Sequence, residues 1–304
     1  MTSKTTLCKE ITLDITSAPH ILIAGTTGSG KSVMMHSIIC SLLQGNDPDS
    51  AEFILIDPKQ VEFTFYEDLP GVRVCYDSTE AYSLLSSAIM EMERRFSVMK
   101  ANRTRVWSGK KTYIFIDELA DLMLGSRKTI EPLITRIAQK GRAAGVHLIL
   151  ATQYPTKQVF STVIKANVPT RIALKVKTRS DSMTIIDRTG AELLQGKGDA
   201  ILSKADGEEI HFQGRFLSDA EIEEITDTYR EMYTSVPEIL PEITAEPTVT
   251  SVSYAEPVPY IPSETSSDDV PVIRTSRVTE TMDNIRNFIV SFTLVLGIIL
   301  LLAF

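Results

Sequence analysis

Cysteine is scarce. Cys8, Cys40 and Cys75 are spread through 304 residues with no metal-ligand or redox spacing. That excludes a disulfide scaffold or a dithiol site and fits reduced residues of a cytosolic domain. The first twenty residues lack a basic stretch followed by an apolar one, so no secretory signal peptide is expected. Positive charge is short as well. A net charge of −8 excludes a protein that is basic all over, but not a local basic face. Apolar residues are plentiful at 43% of the chain, enough for a sizeable core in one large domain or two small ones.

The most informative stretch is GTTGSGKS, which satisfies G-x-x-x-x-G-K-[ST] with Gly25, Thr26, Thr27, Gly28, Ser29, Gly30, Lys31 and Ser32. Ile21-Leu22-Ile23-Ala24 before it reads as a buried strand, and Val33 to Leu43 after it is apolar at helical spacing. In that context glycines let backbone N–H groups turn around phosphates, and the helix N-terminus adds a favourable dipole. Lys31 can reach the β- and γ-phosphates and Ser32 can hold Mg²⁺. A nucleoside triphosphate site follows, assigned to ATP.

Further strands and helices alternate along the chain. Phe53 to Ile56 is an apolar run stopped at Asp57-Pro58, and Asp77 to Ala101 is a long helix capped by Asp77 or Ser78. Tyr113 to Ile116 is a buried strand ending in Asp117-Glu118. Carboxylates there supply the second half of an ATPase site, Asp117 on the metal and Glu118 on the attacking water. Ile130 to Ala143 reads as a helix and Val146 to Ala151 as a strand ending in Thr152-Gln153. Gln153 there suits a γ-phosphate sensor or water-positioning amide, with a plain surface amide as the alternative. A helix over Val159–Asn167, a strand over Arg171–Val176 and a strand pair, Asp199–Leu202 with Glu209–Phe216, complete the pattern. Leu7 to Ile15 leads in with one or two strands, and Ser218 with Glu221 forms a capping box for a last helix to Tyr233. The expected class is α/β, a mainly parallel sheet flanked by helices.

Composition changes at Ser235. From there to Pro271 lie seven of the fourteen prolines and seven acids, without Lys or Arg, so residues 235–285 read as an extended acidic linker. Phe288 to Phe304 carries no charge over seventeen residues. At 1.5 Å per residue this is roughly 26 Å, enough for a bilayer core, and residues 286–304 are read as a single transmembrane anchor. Arg274, Arg277 and Arg286 precede it. The positive-inside rule then places residues 1–234 in the cytoplasm, a tail-anchored arrangement.

Taken in order, GTTGSGKS, FILIDPK, EMERRF, FIDELADLM, AQKGRAAGVHLILATQ and VIKANVPTRIA resemble the FtsK/SpoIIIE family of DNA translocases. The likeness runs from about Leu7 to Asp219. It implies a RecA-like P-loop motor that forms a homohexameric ring on double-stranded DNA and hydrolyses ATP between subunits. Lys31 and Ser32 match the Walker A pair, Asp117 and Glu118 match Walker B, and Arg142 matches the arginine the family sends into the neighbouring site. Lys165 and Arg179 match family cations that face DNA, with Lys157 and Thr178 in the same loops. Between Pro155 and Gly190 there are seven Lys/Arg and two Asp, a local excess suited to phosphate contact. Tyr154 and Met183 stand where the family usually has arginine.

Long family members carry N-terminal membrane helices and a C-terminal winged helix that reads DNA orientation. Neither is read in this sequence, so orientation-guided translocation is not expected, and a motor serving a plasmid, conjugative element or virus fits better than the division septum. The competing reading is polypeptide export of the type VII kind. A nucleotide-dependent scaffold that does not hydrolyse sits poorly with Lys31, Asp117, Glu118 and Arg142 all present.

Overall fold

The computed structural model describes residues 4–8, 12–15 and 17–234. Two short strands, β1 (Lys4–Thr6) and β2 (Thr12–Asp14), pair antiparallel. The main sheet has eight strands: β3 (His20–Ala24), β4 (Ala51–Ile56), β5 (Val72–Cys75), β6 (Lys111–Ile116), β7 (Val146–Thr152), β8 (Thr170–Leu174), β9 (Asp199–Ser203) and β10 (Glu209–Gln213). Their spatial order is β10-β9-β8-β3-β7-β6-β4-β5. Strands β5 through β8 in that order are parallel, and β9 and β10 add an antiparallel edge.

Helices cover both faces, so the middles of the central strands are near-continuous apolar runs rather than alternating. Because successive side chains point to opposite faces, parity divides the core. Leu22, Ile54, Ile114, Ile116, Leu148 and Leu150 enter one cluster, with α2 (Ser78–Ala101), α4 (Arg127–Ala144) and α6 (Arg179–Ile186). Ile21, Ile23, Phe53, Leu55, Phe115 and Ile149 enter the other, with α1 (Lys31–Gly45) and α7 (Asp219–Thr234). The short α3 (Leu119–Met123) and α5 (Thr162–Asn167) follow β6 and β7.

Local chemistry sets most boundaries. The Asp77 side chain accepts from the N–H groups of Thr79 (2.7 Å) and Glu80 (2.9 Å), starting α2 at Ser78. Ser218 and Glu221 exchange hydrogen bonds at the start of α7. Other boundaries move. The helix expected from Val159 begins at Thr162, because Val159 and Phe160 are buried in a turn closed on Thr156 and Ser161 caps Ile164 N–H. The last strand ends at Gln213, since Gly214 turns its N–H to Gly198 O and Arg215 to Leu7 O. Of the lead-in stretch, β1 lies earlier than expected, at Lys4–Thr6, and residues 9–11 and 16 are not described. The edge strand β5 and the helix α6 were not expected. The first is four residues long and the second is eight.

No helix among the described residues is long and apolar enough to cross a membrane. The expected linker, 235–285, and the expected anchor, 286–304, lie outside the described residues.

Two histidines are buried where β3 and β7 begin. His20 Nδ1 accepts the Leu148 N–H at 3.1 Å, and His147 Nδ1 lies 3.2 Å from Pro19 O. Burial, reinforced by His147 and Arg142, pulls the His20 pKa down to about 3; burial and the charge of Lys111 pull His147 down to about 4. Both are neutral in the folded chain, so their contribution is complete above the unfolded value near 6.5 and is lost as pH falls and the unfolded state takes up protons. From pH 7.5 to 5 the pair should cost about 4 kcal/mol of unfolding free energy. Urea unfolding at the two pH values, with and without His20→Asn and His147→Asn, measures it. The double variant should flatten that slope.

Candidate functional site

All the parallel strands deliver their carboxyl ends to one edge of the sheet, where open α/β folds bind ligands. From β3 the chain enters Gly25 to Gly30 and turns into α1 at Lys31. Gly30 has φ 99°, and a Cβ there would stand 2.5 Å from Gly198 N, so backbone conformation and packing both require glycine. The loop is held from two sides. Gly25 N–H donates to Thr152 O, Thr26 N–H and Oγ1 both donate to Lys175 O (2.9 and 3.1 Å), and Gly198 N–H donates to Ser29 O at 2.8 Å. Thr27 and Gly28 remain exposed at the crest.

Strand β6 ends in the paired acids. Asp117 is 1% exposed and Glu118 is fully buried. The Lys31 ammonium is itself buried, donates to Asp117 O at 2.8 Å and pairs with the Asp117 carboxylate. Burial pushes the Asp117 carboxyl up, and the Lys31 charge pulls against it. Glu118 Oε1 accepts from Thr152 Oγ1 (2.5 Å) and Gln153 N (3.2 Å); Oε2 accepts from Gln153 N (3.1 Å) and Lys59 Nζ (3.1 Å). The Gln153 side chain accepts from Thr27 Oγ1 at 2.8 Å, so it stands directly across the phosphate loop.

A third element was missed from sequence. Asp57, fully buried at the end of β4, accepts the backbone N–H groups of Lys59, Gln60, Val61, Glu62 and Phe63. The loop wound around this carboxylate sends Lys59 to Glu118 and Glu62 to Ser32, whose Oγ donates to Glu62 Oε1 at 2.7 Å. A hydrogen bond from His36, and a second from Ser32, hold the Glu62 carboxyl below its usual range. The sequence showed Asp57 and Lys59 within FILIDPK, as a strand stopped by proline and as a family motif, but without a role for either or for Glu62.

Ser32, Asp117 and Glu62 offer oxygen donors alone, the chemistry of a hard divalent cation such as Mg²⁺. No group of three or more His, Cys, Asp or Glu among the described residues could enclose a metal unaided. That suits a cation completed by water and phosphate oxygens.

Beside the loop opens a cleft of about 430 Å³ bounded by Thr27, Gly28, Met34, Lys197, Arg215 and Phe216. Its lining joins the phosphate loop and the amino end of α1 to Met34 and the exposed Phe216. A polyanion at one end and a flat apolar group at the other match a nucleotide. The wall residues 197–198 and 214–216 carried no sequence motif of their own.

The remaining expected residues divide between two edges. Lys157, Thr178 and Arg179 follow β7 and β8 on the nucleotide edge, and all three are exposed. Thr178 caps α6, exchanging hydrogen bonds with Asp181. Lys165 lies elsewhere, in α5 ahead of β8, with its ammonium on Asp187 Oδ1 (2.6 Å) beside the Arg171 pair to the same carboxylate. Arg142 is exposed at the end of α4, next to His20 where β3 begins. The length of β7, roughly 23 Å, separates that end from its own chain's phosphate loop.

The FtsK/SpoIIIE family profile matches residues 4–114 and 107–157. The DNA translocase FtsK of Leptospira interrogans is 43% identical over 242 residues, 73% of this chain and 26% of that protein. The DNA translocase FtsK of Haemophilus influenzae is 40% identical over 261 residues, 73% of this chain and 49% of that protein. The chain thus spans between a quarter and a half of these curated relatives. Among solved structures, the pCW3 conjugation coupling protein TcpA, in its monomer form with ATPγS, aligns with a TM-score of 0.67 and 27% identity over 77% of this chain and 70% of that one. The cytoplasmic domain of the Thermomonospora curvata type VII secretion ATPase EccC shares the fold, with a TM-score of 0.63 and 21% identity over 75% of this chain and 30% of that one.

Proposed function

Because the chain belongs to the FtsK/SpoIIIE family, we propose that its folded part is an ATP-hydrolysing motor that moves double-stranded DNA. The observation that carries this reading is the convergence of Lys31, Asp117, Glu118 and Gln153 on one phosphate loop, with exposed cations on the same sheet edge.

In the proposed cycle the phosphates lie against the backbone N–H groups of Gly28 to Lys31. Lys31 turns from Asp117 to the γ-phosphate, which frees Asp117 for the metal beside Ser32. Bound Mg²⁺ would neutralise charge building on the phosphate oxygens. Glu118 polarises the attacking water, and Gln153 registers whether a γ-phosphate is present. Thr26 links this site to the cationic loop through Lys175 O. A change in the loop on hydrolysis therefore reaches Lys175, Lys177 and Arg179 through two hydrogen bonds rather than through the core.

Arg142 lies at the end of α4, at the opposite end of β7 from its own phosphate loop, so its catalytic use would require a neighbouring subunit, which a homohexameric ring would supply. The uncharged run Phe288–Phe304 is the proposed membrane anchor, with the motor on the cytoplasmic side. The cargo would be plasmid, conjugative, viral or chromosomal DNA. Tyr154 and Met183, exposed apolar residues where the family usually has arginine, favour one other reading, polypeptide transport by the same motor.

The deciding measurement is ATPase rate with and without linear double-stranded DNA over a salt series. Four phosphate contacts, from Lys157, Lys175, Lys177 and Arg179, predict DNA stimulation whose apparent affinity falls roughly hundredfold between 50 and 200 mM salt. Turnover indifferent to DNA would support polypeptide transport instead. Arg142→Ala should bind ATP normally and lose about a thousandfold in turnover. Mixing it with Glu118→Ala should restore a measurable fraction, and no restoration would remove Arg142 from a shared site. Deleting residues 284–304 should shift the chain from the membrane to the soluble fraction; unchanged fractionation would overturn the anchor.

A further inference from the structure

Glu118 is fully buried, and both its oxygens are occupied by Thr152 Oγ1, Gln153 N and Lys59 Nζ. Thr152 and Gln153 belong to the neighbouring strand β7 and its end, and neither brings a charge. Lys59 is the one cation bonded to this carboxylate among the described residues, and it also lies 3.6 Å from Asp121 Oδ2. Its side chain is 35% exposed, which alone would suggest an incidental surface pair.

Two facts argue otherwise. The partner has no exposure, so removing the cation leaves a buried charge with fewer donors. The backbone under Lys59 is also held rigidly. Asp57 gathers five consecutive N–H groups, from Lys59 through Phe63, and Gln60 is forced to φ 57° inside that turn. A loop fixed this firmly presents its lysine from a set direction. The same loop places Glu62 on Ser32 Oγ, so one element touches both the metal-binding hydroxyl and the water-polarising carboxylate.

We propose that Lys59 is a positioning residue for hydrolysis: its ammonium, aimed by the Asp57-centred loop, orients the Glu118 carboxylate toward the attacking water. Nucleotide binding does not involve it. Lys31 pairs with Asp117 whereas Lys59 pairs with Glu118, and Lys59 is not among the residues bounding the nucleotide cleft.

The test uses the full chain with Lys59→Met and Lys59→Arg. Methionine keeps the length and loses the charge; arginine keeps the charge. Lys59→Met should lower kcat at least tenfold, with the Kd for mant-ATP within twofold of the parent and an unchanged melting temperature. Lys59→Arg should recover most of kcat. In single turnovers, adding Lys59→Met to Glu118→Gln should slow the reaction by less than twofold more, because the lysine acts through that carboxylate. Parent-like kcat in Lys59→Met would overturn the proposal. So would mant-ATP binding that weakens in step with kcat and is not rescued by arginine, which marks a purely structural lysine. The inference rests on Glu118 as the water-polarising group. Glu118→Gln turning over like the parent would remove that premise, whatever Lys59 does.

Discussion

A carboxylate buried at the end of a parallel strand must find hydrogen-bond donors, and that constraint shapes the nucleotide edge of this protein. Asp57, Asp117 and Glu118 are at most 1% exposed. Leaving any one unpaired would cost several kcal/mol, a large share of a domain's net stability. Each is satisfied differently. Asp57 takes backbone N–H groups and becomes the hub of a loop. Asp117 takes a lysine, and Glu118 takes a hydroxyl, a backbone N–H and a second lysine. The difference suits their chemistry. Backbone donors in a closed loop do not depart, so Asp57 is a fixed support. The Lys31 partner sits on a side chain that a bound phosphate would draw away, and in the proposed cycle Asp117 would then be freed for a metal.

The sequence carried the fold clearly wherever strands are buried on both faces. Ile21–Ala24, Phe53–Ile56 and Tyr113–Ile116 are uninterrupted apolar runs, Val146–Ala151 is broken only by His147, and each became a strand of the parallel sheet. Strand β5 escaped notice because Val72-Arg73-Val74-Cys75 is short and an edge strand, with Arg73 turned out to pair with Glu52. Its existence depends on register with β4, which is a tertiary fact. The phosphate loop and the Asp117-Glu118 pair were legible because their chemistry is local to one strand end each. Lys59 and Glu62 were not, since their meaning depends on Asp57 folding the loop back across two other strands.

Arg95 shows the same limit away from the site. In EMERRF it is one of two adjacent arginines, and it falls on the apolar stripe of α2 with Ala88, Met92 and Met99, where a charged side chain needs partners. It is 2% exposed, donating to Ala144 O and Thr112 Oγ1 at 2.9 Å each and lying 5.4 Å from the Trp107 ring centroid. Its planar fork satisfies the carbonyl end of α4 while joining α2 to β6. Helix α4 carries Arg142 in its last turn, so this buried guanidinium also steadies the end from which Arg142 projects.

Lys165 and Arg179, grouped by sequence as cations for the same ligand, flank β8 on different helices: Lys165 lies in α5 before the strand and Arg179 opens α6 after it. Lys165 already serves Asp187 together with Arg171, whereas Arg179 is 81% exposed and only 3.6 Å from Glu192 as its nearest acid. A cation committed to a short internal pair gives up less to an incoming phosphate than one held loosely in water. The proposed grip on a polyanion would therefore fall to the loop from Lys175 to Arg179 rather than to Lys165. That loop is the one joined through Lys175 O to Thr26, and it begins where β8 lies beside the strand that feeds the phosphate loop. In the proposed motor, nucleotide state and cation placement would be coupled through the connection these contacts provide, two adjacent parallel strands and one shared carbonyl.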